Sequence, residues 1–114
     1  MPVNAQTYLF DIQKAIELIR EFTQDQTFEM YQKNAMVNSA VERQLSIIGE
    51  AIVQLLKLEP NVSITSARQI TGFRNILIHN YARVSPAVVW TIVQDDLETL
   101  HREVTALLVN HKPS

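Results

Sequence analysis

The segment VERQLSIIGEAIVQLLKL, residues 41–58, decides the fold. Its apolar residues Val41, Leu45, Ile48, Ile52 and Leu55 advance by four, three, four and three positions. With about 3.6 residues per turn, an α-helix stacks all five on one stripe, leaving the polar residues between them for other faces. Pro60 closes the helix at Glu59, because the residue before a proline is pushed out of helical backbone.

The same period extends in both directions. Upstream, Tyr8, Ile12, Ala15, Ile19 and Phe22 predict a helix over residues 5–24, broken by the polar run TQDQT, and FEMYQK (28–33) reads as one short extra turn. Downstream, the connection PNVSIT leads to Ser66, a suitable N-cap, and to a stripe of Ile70, Phe73, Leu77 and Tyr81. After a link at 82–84, Ser85-Pro86 starts the last helix, with serine as cap and proline at the first helical position, where its missing N–H costs nothing. That helix buries Val89, Val93, Leu97, Leu100, Val104 and Leu107 before the polar tail NHKPS. No repeat, low-complexity run or linker interrupts the pattern. The expectation is one all-α domain over 1–114: an antiparallel bundle of four main helices with a short fifth.

Composition narrows the function. The chain has 114 residues, 46% hydrophobic and 19% charged, which is enough apolar surface for a core and too much for disorder. It has no cysteine, which removes disulfides, thiol nucleophiles and thiolate metal sites and fits a cytoplasmic protein. The opening MPVNAQTYLFDIQK has no basic start and no unbroken apolar run, so no signal peptide is expected. No stretch approaches the ~20 apolar residues of a membrane span. A net charge of −2 and a pI near 5.9 argue against a coat that grips nucleic acid by bulk charge. A local cluster remains, since Arg68, Arg74 and Arg83 fall close together.

One such arginine sits in GFRNILIHNY, residues 72–81. A guanidinium is always charged and offers forked donors that match two phosphate oxygens. A histidine near neutrality gives and takes protons. RNA supplies its own nucleophile in the 2′-hydroxyl, so Arg74 and His79 suffice in principle for phosphodiester cleavage with neither metal nor cofactor, and Tyr81 adds a hydroxyl beside them. Five helical steps put Arg74 and His79 about 140° apart, while Arg74 and Tyr81 nearly share a face. Either the helix loosens near Asn80, or both groups flank a cleft completed by a second subunit, where a two-fold axis would gather two copies of each. The plainer reading stands beside this: a helix C-terminus favours histidine through its dipole, and Tyr81 ends an apolar stripe as ordinary core.

Other groupings read as structure. Asp95, Asp96, Glu98 and Glu103, with His101 nearby, form a solvated face on which Glu98 and Arg102 are spaced as an ion pair. His101 and His111 lack metal-ligand spacing, and no metal site is expected. Gly49-Glu50 marks close helix packing, with Glu50 a candidate wall of a dimer cleft. Two glycines leave no phosphate-cradling loop.

RNILIHNY resembles the R-x4-H-x-Y motif of the HepT-like toxins, a branch of the all-helical HEPN (higher eukaryotes and prokaryotes nucleotide-binding) family. AVERQLSIIGEAIVQL resembles that branch's second long helix, and FRNILIHNY followed by VVWTIVQDDLETL resembles its third and fourth, so the likeness runs from about residue 36 to 108. The resemblance implies a dimeric, metal-independent endoribonuclease paired as toxin with a nucleotidyltransferase antitoxin. It implies that Arg74 orients the scissile phosphate, His79 shuttles protons, Asn75 helps hold RNA, and Tyr81 accepts AMP from the partner, which silences the toxin. The rival expectation is a non-catalytic nucleotide-binding or docking scaffold for the nucleotidyltransferase, which suits the acidic net charge.

Overall fold

The computed structural model describes residues 4–79 and 84–110, the side chains of Ile78 and His79 excepted. Its helices are α1 (Ala5–Thr23), α2 (Phe28–Lys33), α3 (Ala35–Leu58), α4 (Ala67–His79), α5 (Pro86–Thr91) and α6 (Leu97–Asn110), with a π-helical segment, Ile92–Asp96, joining the last two. There is no strand among the described residues. The all-α bundle read from the sequence is therefore the fold, with α5, the π segment and α6 forming its fourth long arm.

Short polar residues start the helices. Asn4, Thr27, Asn34 and Ser85 each accept a hydrogen bond from an amide in the first turn, at Thr7, Met30, Val37 and Val88. Asn34 serves two helices at once: its N–H donates to Tyr31 O at the end of α2, while its side chain caps α3. Asn38 Nδ2 donates to the carbonyls of Tyr31 (2.7 Å) and Asn34 (2.6 Å), so the corner closes without a linker. The long helix consequently begins at Ala35, nearly two turns before the apolar stripe that announces it.

The α3 stripe is as expected, with Val41, Leu45, Ile48, Ile52 and Leu55 fully buried. In α1 the buried arc is wider. Leu9 and Ile16 join Ile12, Ala15 and Ile19 in the core, while Tyr8 and Phe22 are only half-buried. The reason is position: α1 packs on α3 and also on α6, so two faces are covered instead of one. Tyr31 is fully buried against Trp90, with ring centroids 5.3 Å apart, and Phe28 flanks the same indole at 6.1 Å, which docks α2 on α5.

In the last arm, the Leu97 amide donates to Ile92 O, one residue beyond the α-helical partner. The extra residue rotates the chain, burying Ile92 and leaving Val93 half-covered, while Val89, Leu97, Leu100 and Val104 all face the core. The acidic face here is not uniformly solvated. Glu103 accepts from the amide (3.2 Å) and hydroxyl (2.6 Å) of Thr65, and the Ser66 hydroxyl reaches Asp96 Oδ1 at 3.5 Å, tying the approach to α4 onto the fourth arm. His101 Nε2 lies 3.3 Å from Glu17 on α1. The expected Glu98–Arg102 ion pair does not form among the described residues. No helix among them is long and apolar enough to cross a membrane.

Candidate active site

The site is built where α3 and α4 touch. As α4 advances from Arg74 to Leu77, the facing residues of α3 fall back from Gly49 to the Ser39–Ser46 stretch, so the two helices run antiparallel. They meet at Gly49, where an added Cβ would lie 2.6 Å from Arg74 Cβ and 3.1 Å from its Cγ. The absent side chain is what lets the Arg74 stem lie against α3, as the pairing of Gly49 with close helix packing anticipated.

That packing delivers the guanidinium to the next residue of α3. Arg74 Nη2 makes a short charged hydrogen bond to Glu50 Oε2, and Nη1 donates to Asn75 Oδ1 at 3.0 Å. Glu50 Oε1 in turn accepts from Gln54 Nε2 at 3.0 Å. The Gln54 hydrogen bond, helped by the charges of Arg74 and Lys57, holds the Glu50 carboxyl below its ordinary range despite some desolvation. The Arg74 side chain is 24% exposed and Glu50 48%, so the pair sits at the lip of a surface recess, outside the core.

The recess is an open cleft of about 460 Å³ between α1, α3 and α4. Its walls include Tyr8 and Asp11 from α1, Arg43, Ser46 and Glu50 from α3, and Arg74 from α4. Of the residues singled out in the sequence, Arg74 and Asn75 are adjacent and hydrogen-bonded, and Glu50 joins them. The backbone of α4 is helical from Arg74 to its last residue, His79, so the predicted offset of about 140° between their Cα positions applies. The His79 side chain lies outside the described residues, as do Asn80 and Tyr81. Among the described residues, no group of three histidine, aspartate or glutamate side chains is arranged to hold a metal ion.

Sequence reading missed Tyr8, Asp11 and Arg43. A signal for Arg43 was available, since it precedes Glu50 by seven residues and must share its face of α3. Tyr8 reads as a core position from its spacing, and Asp11 carries no mark of its own.

The chain is thus a four-armed helical bundle with Arg-x4-His at the end of α4 and the arginine at the lip of a cleft. The chain belongs to the ribonuclease HepT-like family, whose description matches residues 12–107. Among its relatives, a protein of Thermococcus cleftensis with the provisional name ribonuclease HepT is 38% identical over 97 residues, covering 82% of this chain and 86% of that protein. One from Methanocaldococcus jannaschii, provisionally named an RNase, is 33% identical over 105 residues, covering 89% and 94%. Another from the same organism, named a gamma-glutamylcyclotransferase and provisionally an RNase, is 30% identical over 109 residues, covering 95% of this chain and 49% of its own. No solved structure gives a significant match.

Proposed function

We propose that this chain is a metal-independent endoribonuclease and the toxin of a toxin–antitoxin pair. Family membership and the RNase names of its relatives support the activity. The observation that carries it is Arg74, held by Glu50 and Asn75 at the lip of an open cleft. His79 takes the proton of the substrate 2′-hydroxyl as that oxygen attacks phosphorus. The bond to the 5′-oxygen breaks, and the leaving oxygen receives a proton from histidine, from the other subunit's copy in a composite site. Arg74 offsets the charge that builds on the phosphoryl oxygens. Products carry a 2′,3′-cyclic phosphate and a 5′-hydroxyl. The helical offset of Arg74 and His79 supports a homodimeric cleft, and Ile76, 44% exposed and on the His79 side of α4, supplies apolar surface for it.

The test is end-labelled RNA incubated with purified protein in excess EDTA, after intact mass has established that Tyr81 is unmodified. Cleavage leaving cyclic-phosphate ends is the expected result. Failure to cut varied RNAs by folded, dimeric protein favours a docking scaffold, a reading supported by the net charge of −2 and by the pairing of Arg74 with a carboxylate.

Silencing belongs to the same proposal. AMP on Tyr81, transferred by a nucleotidyltransferase antitoxin, would set a bulky anion two residues from the proton shuttle, where it blocks and repels RNA. With the cognate partner and ATP, the parent chain is expected to gain one AMP and lose cleavage, and Tyr81→Phe to gain none and stay active. Intact mass spectrometry decides it: one AMP per chain on the phenylalanine variant would place the acceptor elsewhere.

A further inference from the structure

A guanidinium has five N–H donors in one rigid plane. In Arg74, one on Nη2 goes to Glu50 and one on Nη1 to Asn75, which fixes the plane of a guanidinium that lines the cleft and keeps three further donors. Glu50 is itself braced, with Gln54 donating to its other oxygen one turn along α3. The order Gln54, Glu50, Arg74, Asn75 is thus a chain of contacts linking two helices at the cleft wall.

Stability does not account for the ion pair. Pairs this exposed contribute only about 0–1 kcal/mol. Gly49 brings the Arg74 stem against α3, and the very next residue takes its head. Both features serve the location of one guanidinium.

We propose that Glu50 is a positioning residue for RNA cleavage: it orients Arg74 toward the cleft and offsets its charge in the free protein. The inference rests on the ribonuclease reading given above. A phosphate in its ground state must compete with the carboxylate for the arginine. The more highly charged transition state competes better, so the contact favours turnover over tight binding. Glu50→Ala frees the guanidinium, and kcat is expected to fall about ten- to a hundredfold while KM stays level or drops. Glu50→Gln keeps a carbonyl acceptor for Arg74 without the charge. It is expected to recover most of kcat relative to the alanine variant, with KM below that of the parent.

A purely structural Glu50 would lower melting temperature and leave both constants of the folded protein unchanged, and that result overturns the proposal. So does an alanine variant with parental kcat, or one whose KM rises. A second readout needs no activity. In 15N-arginine NMR, with Arg74→Lys used for assignment, the parent should show separate Nη1 and Nη2 signals from restricted rotation, merging in Glu50→Ala. Merged signals in the parent would refute the hold itself. Parent protein that cleaves no RNA overturns the ribonuclease reading, and the NMR result then decides alone whether Glu50 fixes Arg74.

Discussion

His79→Ala is expected to slow RNA cleavage by about 10²–10⁴-fold, the usual contribution of a positioned general acid or base. Arg74→Ala is expected to cost about 10²–10³-fold, as for removal of one preorganised charge partner of a transition state. Neither loss should come from unfolding. His79 ends α4, and the Arg74 head lies at the surface while its neighbours Ile70 and Phe73 carry the core packing of that helix. Thermal melts beside the cleavage assay separate the two effects. Lysine at 74 keeps a charge but loses the planar fork that engages Glu50 and Asn75 together, so Arg74→Lys should recover only part of the rate. Parental activity in either alanine variant would move the chemistry to other residues.

The two glycines should respond to alanine with opposite signs. At Gly72, on the exposed side of α4, an added Cβ meets nothing within 4 Å, so Gly72→Ala gains helix propensity. Stabilisation by about 0.5–1 kcal/mol is expected, a rise of several degrees in melting temperature. At Gly49 the same methyl would stand 2.6 Å from Arg74 Cβ, an atom anchored to the α4 backbone that cannot swing away. The helices must part, and overpacking of this kind costs about 1–3 kcal/mol, partly offset by the same ~1 kcal/mol of propensity. Net destabilisation of up to about 2 kcal/mol should appear in denaturant titration. Cleavage should fall further than the folded fraction does, since a shift of about 1 Å in a catalytic group is enough to lose about a hundredfold in rate. If Gly49→Ala proved as stable and as active as the parent, the contact between α3 and α4 would be looser than described.

The helices were legible because their burial repeats with the helical period and short polar caps mark their starts. Val41 to Leu55 needed no tertiary information: one face is covered and one stripe shows it. The α1 stripe was read a little out of phase because that helix is covered from two sides, and a single-stripe template has no place for Leu9 and Ile16 as well. The start of α3 was missed because Asn34 caps one helix while ending another, which in sequence looks like a continuing polar run. At the site, Arg74, Asn75, His79 and Tyr81 were legible as a local motif. Glu50 was noticed only through its glycine neighbour, and the α1 wall was invisible because Tyr8 and Asp11 meet α3 and α4 through space, at separations no local pattern encodes. Glu103 and Asp96 were read as solvated for the same reason, their partners Thr65 and Ser66 being a whole helix away.

The π-helical turn has a consequence for the length of the chain. Val89 and Leu97 are eight positions apart, which in an unbroken α-helix would set them about 80° out of line. The surplus residue between Ile92 and Leu97 removes that error, since seven effective steps make almost two whole turns. A relative lacking one residue in this segment would close it as ordinary α-helix and still present the equivalents of Val89, Leu97, Leu100 and Val104 to the same core. Residues 92–96 are therefore where the bundle can lose one residue in evolution without re-registering the core positions on either side.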